Sequence, residues 1–476
     1  MYAERVAAFR VVVLALSLLS VSPAAPSIDW RQADSELLTY YRALLQIDTS
    51  NPPGNERRVV QYLRPILDRE HIPYQVFALD PNRLNLVARL KGNGSKRPII
   101  LMGHTDVVGV DRARWKTDPF AALLRNGFIL GRGTIDDKSH VAVGLMTLLL
   151  LRRNAVPLDR DVIFIAEAGE EGTTKYGMDF LVSRHWNDIA AEYALAEGGE
   201  TVAHNGVVRY SEIATTEKVV RRTRLIAHGT SGHGSQPRLD NPITHLAAAI
   251  ARLGQWQTPV RLNETTRTYF QRLATISTPE DAYRYTHVGD PDKTATIQRY
   301  FAEHELANYS ILRTSIAPTM IHGGFRNNVI PSEAEAMLDV RALPDEDMPR
   351  FYAQMRRIID DPAIEIIPSG ETQRPAALPS RLDTDLFRAL EHAQRAMWPR
   401  AITLPAMVTG ATDLAQLRAK GVQGYGFGPI VDETEEDEGS GPHSDDERLR
   451  ETSLYDMAHF LWAVVIEVAA SHVVPS

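Results

Sequence analysis

Residues 99–106 read Ile-Ile-Leu-Met-Gly-His-Thr-Asp (IILMGHTD). Four apolar residues in a row, Ile99–Met102, with no polar alternation, have the pattern of a strand buried on both faces. The polar residues that follow would then sit where that strand ends. Two more runs repeat the pattern: Val162–Ala166 (VIFIA), followed by Glu-Ala-Gly-Glu-Glu-Gly, and Tyr193–Ala196 (YALA), followed by Glu-Gly-Gly. Between the first two lies Val141–Leu151, a helix pattern that is apolar nearly all round. Continuous apolar strands separated by helices predict an α/β fold, with a mainly parallel sheet covered by helices on both faces.

The pattern changes after Lys218. Arg221–His228 and Glu333–Leu343 alternate like half-exposed strands. Asn241–Leu253 and Asp345–Ile359 are amphipathic helices, and Ala363–Ile367 is a closing strand. Two strand–helix units predict a small α+β, ferredoxin-like domain inserted into the larger one. The helix-rich stretch 261–309 elaborates it. The expected division is a larger domain built from 26–217 and 369–476, with the insert at 218–368. The length of 476 residues suits two such units. Ahead of them, Arg5 and Arg10 precede the apolar run Val11–Val21 and the small residues Ser22–Ala25. That is the layout of a signal peptide over 1–25, so export to a periplasm or the exterior is expected, with an uncleaved N-terminal anchor as the alternative.

Net charge is −8, which argues against a nucleic-acid surface. There are no cysteines, so disulfides and thiolate ligands are excluded, and any metal must be held by His, Asp and Glu. The acidic run Asp432–Glu438 has the composition of a solvated loop.

Several segments place metal-competent side chains beyond strand ends, where open α/β sheets build their sites. His104 with Asp106 two residues on suits an imidazole oriented by a carboxylate. Asp136 and Asp137 lie in a turn with Gly131 and Gly133, and would repel each other without a nearby cation; the same residues would equally suit a helix N-terminus. Glu170 and Glu171 could divide metal binding and proton transfer. Glu197 follows the YALA run, and His443 lies far away in Gly441-Pro442-His443-Ser444. Each alone is an ordinary polar turn. Together they form a nitrogen and oxygen donor set suited to zinc, with cobalt or manganese also accommodated.

The ordered series HTD, GRGTIDDK, EAGEEG, AEGG and GPH resembles the zinc carboxypeptidase/aminoacylase family. That family includes acetylornithine deacetylase, succinyl-diaminopimelate desuccinylase, glutamate carboxypeptidase and carboxypeptidase S. The AEGG and GHGS variants resemble the carboxypeptidase S and N-acyl-amino-acid hydrolase branch. The resemblance implies that Asp136 bridges two zinc ions, with His104 and Glu197 completing one site and Glu171 and His443 the other. It makes Glu170 the general base and Asp106 the residue that orients His104, and it implies a cis peptide between Asp136 and Asp137. His233 of Gly229–Pro237 would stabilise the oxyanion, in dimers from the partner subunit. Asn328 and Arg341 would hold a substrate carboxylate, with Gly410 adding backbone contacts. A structural ion pair of Arg341 with Asp339 or Asp345 is the competing reading.

The implied activity is hydrolysis of an amide next to a free carboxylate in a peptide or N-acyl amino acid. The alternatives are a two-zinc aminopeptidase and an inactive scaffold of the same fold. The implied partners are the substrate and a second copy bound through the insert, which serves as lid and dimerisation domain. Two features depart from the family pattern: Ser139 stands where glycine is usual, and the insert is longer, with helices that could cover the dimerising edge.

Overall fold

The computed structural model describes residues 28–368, 374–434 and 440–471. The expected leader and residues 435–438 of the acidic run lie outside them. At its start that run forms a turn, in which Asp432 accepts from the Gly206 N–H (2.6 Å).

The central sheet has ten strands. Its middle is four parallel strands in the order Val162–Glu167, Ile99–His104, Tyr193–Ala196, Gln423–Gly426. Arg83–Leu90 and Tyr74–Asp80 extend one side in antiparallel pairing. On the other side the long strand Val207–Glu217 carries Ile402–Val408 in parallel and Thr201–His204 antiparallel, with Ile430–Asp432 at the edge. The chain is thus α/β, with parallel pairing at the centre and mixed pairing at the flanks.

The continuous apolar runs follow from cover on both faces. Successive side chains of a strand point to opposite sides. Leu101, Phe164 and Leu195 face helices Trp30–Leu45, Lys138–Arg153, Asp385–Met397 and Glu451–Ala469. Ile100, Met102, Ile163 and Ile165 face Met178–Arg184 and Leu414–Ala419. Helix Lys138–Arg153 is buried from Lys138 to Leu151 because sheet and helices enclose it. It approaches the sheet closely at Gly144, where a Cβ would stand 3.1 Å from the Phe164 ring. At its start, burial pulls the Lys138 ammonium down to about 7. Its Nζ donates to the carbonyls of Leu44 and Ile47 (3.0 and 2.6 Å).

The second sheet is antiparallel, in the order Ser315–Gly323, Glu333–Ala342, Thr223–His228, Ile364–Pro368, with Val219–Val220 also on Glu333–Ala342. Glu333–Ala342 alternates buried and half-buried residues because only one face is covered. That cover comes from helices Pro242–Gln255 and Met348–Ile359, through Leu246, Leu253, Phe351 and Met355. The additional helices of 264–311 pack elsewhere: Phe270, Phe301 and Ile311 join Leu343 and Met407, the latter on the first sheet. Strand Ser315–Gly323 is left hydrogen-bonded on one side among the described residues, with Met320 and Ile321 exposed.

Phe164 is fully buried at the centre of the first sheet, against helix Lys138–Arg153. Phe164→Ala should destabilise the protein by about 3–5 kcal/mol, read as a lower urea midpoint with no loss of far-UV signal before the transition.

Candidate metal centre

The parallel strands end together. His104 is the last residue of its strand and pairs in register with Glu167. Glu170 and Glu171 follow three and four residues after that partner, and Glu197 directly follows Tyr193–Ala196. Asp136 arrives differently. It lies in the turn between the short strand Phe128–Leu130 and helix Lys138–Arg153, not after a strand of the main sheet. The Asp136–Asp137 peptide is cis.

The two Asp136 oxygens point to different imidazoles. Oδ1 is 2.7 Å from His104 Nε2, and Oδ2 is 3.0 Å from His443 Nε2. His443 Nε2 is also 3.1 Å from Glu171, and His104 Nε2 is 3.8 Å from Glu197. Ligand atoms of His104, Asp136 and Glu171 lie within 4.8 Å of one another, as do those of His104, Asp137 and Glu197. Asp137, however, is engaged within the protein: one oxygen accepts from the His104 N–H (3.1 Å) and the other meets His140 Nδ1. Asp136 is therefore the carboxylate that both imidazoles share.

Asp106 and Glu447 organise the loops. Asp106 is fully buried and accepts from the N–H groups of Gly169, Glu170 and Glu171 (2.9, 3.2 and 3.2 Å) and from Asn51 Nδ2 (2.7 Å). Its own carbonyl lies 3.0 Å from His104 Nδ1, nearer than its carboxylate at 3.5 Å. Asp106 thus orients the imidazole through its main chain and the glutamate loop through its side chain. Burial would raise its carboxyl, but His104 and Asn51 bring it below the ordinary value. Glu447, also buried, accepts from Gly133, Ile135 and Asp136 N–H (3.0, 2.8 and 3.2 Å) and from Arg132 Nη1 (2.6 Å). Arg132 Nη2 in turn reaches the His443 carbonyl (3.2 Å). This pair ties the Asp136 turn to the His443 loop. Neither Glu447 nor Arg132 stands out in sequence: one ends an acidic Ser-Asp-Asp-Glu run, the other sits inside a glycine turn.

The electrostatics mark a cation site. Burial and the Asp136 charge push the Glu197 carboxyl well above its ordinary range. Contact with Asp136 and Glu171 raises His443 to about 10. Burial lifts Glu170 to about 8, against the pull of Arg374, whose Nη2 meets Glu170 Oε1. Acids crowded in low dielectric repel one another unless a cation balances them. Hard oxygens with imidazole nitrogens fit divalent ions. Beside Asp136 and Glu197 opens a cavity of about 390 Å³, which Thr409, next to Gly410, also lines.

The remaining expected site residues lie on the second unit. His233 pairs with Val329 across a short two-stranded sheet, and its Nδ1 accepts from the Ser235 hydroxyl (2.7 Å). Asn328 sits beside it, its carbonyl taking the Gly234 N–H (2.8 Å). Arg341 points Nε and Nη2 at Asp339 (2.7 and 3.0 Å). None of these hydrogen bonds reaches the cluster.

A parallel-centred sheet with shared carboxylate and imidazole donors beyond its strand ends is a fold and site fitted to divalent metal. The chain belongs to the peptidase family M20/M25/M40, whose model matches residues 100–467. It is 30% identical over 337 residues to the N-fatty-acyl-amino acid synthase/hydrolase PM20D1 of Homo sapiens. That alignment takes in 67% of this chain and 64% of the relative, so less than two thirds of the human protein is spanned. An M20 family metallo-carboxypeptidase of Sulfolobus solfataricus shares the fold, with a TM-score of 0.68, 17% identity, and 91% of this chain and 99% of that one covered. So does a Bacillus subtilis dinuclear metal-binding peptidase of the M20 family, with a TM-score of 0.59, 16% identity and coverage of 92% and 99%.

Removing Glu447 leaves Arg132 buried without its carboxylate, and three backbone N–H groups without an acceptor. Glu447→Ala should cost about 3–5 kcal/mol in stability and weaken metal binding about 10–100-fold, measured by thermal melting and by chelator competition on the folded protein.

Proposed function

We propose that this chain hydrolyses an amide bond next to a free carboxylate, releasing a terminal amino acid from a peptide or an N-acyl amino acid. The observation that carries the reading is Asp136, with one oxygen on each of two imidazoles. In this reading Asp136 would be shared between two divalent metal sites, zinc by the donor chemistry. His104 and Glu197 would complete one, Glu171 and His443 the other. The units containing 26–217 and 369–476 form the catalytic domain, and 218–368 the lid.

A bridged metal pair supplies Lewis acidity and a water acidified towards neutrality. The residues do the rest. Asp106 holds the Glu170 N–H and so fixes the base beside the cluster. The Glu170 carboxylate accepts the proton of the attacking water, and the same carboxyl returns it to the leaving nitrogen. His233 would donate to the oxyanion once the second unit closes over the site, and Asn328 and Arg341 would meet the substrate carboxylate. The exposed strand Ser315–Gly323 offers an edge through which a second copy could pair. Export is part of the proposal, on the basic start and apolar run of 1–25. No helix among the described residues is long and apolar enough to cross a membrane.

Glu170→Gln should keep its metal content by elemental analysis while kcat falls by about 10²–10⁴. Turnover near the wild-type rate would remove Glu170 as the base. Arg341→Ala should raise KM for free-acid substrates far more than for the matching C-terminal amides. Equal effects would assign Arg341 to its ion pair with Asp339 and reopen the aminopeptidase reading.

A further inference from the structure

The cavity beside Asp136 and Glu197 has a wall that amide hydrolysis by itself does not require. Apolar side chains such as Ile135, Ile311, Met407 and Val408 form part of it, and beyond Asp136 and Glu197 two further acids, Glu200 and the half-buried Glu212, also line it. Glu212 lies on the long strand Val207–Glu217, and its N–H donates to the Glu200 carbonyl (2.7 Å). Gly199 lets the two segments close: a Cβ there would meet the Glu212 carbonyl at 2.2 Å. The segment Glu197–Glu200 therefore joins the metal centre to the Glu212 wall. Helix Glu264–Leu273 of the insert presents Tyr269 to the same cavity.

A carboxylate inside an apolar wall is costly unless a cation pairs with it. The groups that act on Glu212 are Glu200, a second acid, and the neutral Tyr269. No Lys or Arg lines the cavity among the described residues. The one imidazole on its wall, His140, has its two ring nitrogens against Asp137 and the Phe427 carbonyl (2.9 Å). Burial and the Glu200 charge lift the Glu212 carboxyl to about 8, in keeping with an acid lacking a counter-charge.

We propose that this cavity recognises a cationic group of the substrate, with the Glu212 carboxylate as its counter-charge. The ligand chemistry is an ammonium or guanidinium, carried by a basic side chain or by the free α-amine of a short peptide. The proposal rests on the hydrolase reading, since it takes a substrate at Asp136 and Glu197 to extend into the cavity. It also gives the helical elaboration of the insert a role in specificity.

The test compares Lys-Leu with norleucine-Leu for the side-chain source, and each with its N-acetyl form for the α-amine source. The protein is metal-loaded, as wild type and as Glu212→Gln. The wild type should favour the amine-bearing member of one arm by about tenfold or more in kcat/KM, the scale of one charge-assisted hydrogen bond. Glu212→Gln should bring that ratio to within about threefold of unity. Equal rates in both arms, a preference for norleucine or long acyl groups, or a preference that survives Glu212→Gln would overturn the proposal. Calorimetric titration of the wild type with L-lysine and L-norleucine gives a reading independent of turnover and of how the variant folds. Lysine should bind about tenfold more tightly, and equal affinities would overturn the pocket. Tighter lysine binding without hydrolysis of any substrate would sink the hydrolase reading and leave the pocket standing.

Discussion

Two buried carboxylates that bind no metal in the proposed scheme, Asp106 and Glu447, hold the centre together. Each gathers three backbone N–H groups from a loop that carries metal-competent acids: Gly169–Glu171 for Asp106, and Gly133, Ile135 and Asp136 for Glu447. Loop N–H groups buried without acceptors cost about as much as lost hydrogen bonds. The loops therefore fold onto these two acids. The spacing of Asp136, Glu170 and Glu171 around His104 follows from that, and His443 is drawn in through Arg132. Donors set by backbone bonds are held more stiffly than side chains on flexible turns, which is what a shared metal centre needs.

The parallel centre was legible because a strand buried on both faces must be apolar throughout. Ile99–Met102, Val162–Ala166 and Tyr193–Ala196 have no other use for such runs. His104 and Glu197 were legible for the same reason: they are the first polar side chains after their runs end, while Glu171 lies five residues beyond its run, after Glu167 and Glu170. Asp136 was legible only through its glycine turn, since its chain enters from the hairpin Leu123–Leu130 and not from the main sheet. Glu447, Arg132 and Asn51 carried no signal. Their importance comes from burial, and a buried acid in Ser444–Glu447 cannot be told from a solvated one by composition. Arg374 lies in no motif at all, yet it touches Glu170.

The second unit shows the opposite balance. Its alternating strands and amphipathic helices follow the periodicity of one-sided cover, and Glu333–Ala342 keeps it along its whole length. What the pattern could not say is which way the extra helices of 264–311 turn. They pack through Phe270 and Phe301 towards Met407, a contact made between residues more than a hundred positions apart. Their place beside the cavity, and not over the edge strand Ser315–Gly323, is a tertiary outcome invisible to local periodicity.

The two units meet where Glu170 is held. The chain enters the second sheet through Val219–Val220 and leaves it after Ile364–Pro368. Close to those crossings, Arg221 Nη1 donates to the Arg374 carbonyl (2.9 Å). Arg374 then sets its guanidinium against Glu170 and within 3.4 Å of Asp413. Asp413 and Glu167 are both buried acids with raised carboxyls, burial being the main cause. One guanidinium thus meets both Glu170 and Asp413, and it is carried on the segment that returns from the second unit. A shift of that unit would move Arg374 relative to Glu170, because buried, close-packed contacts of this kind transmit displacement and do not absorb it. The setting of Glu170 and the position of the second unit are therefore one mechanical problem, with Arg374 at their junction.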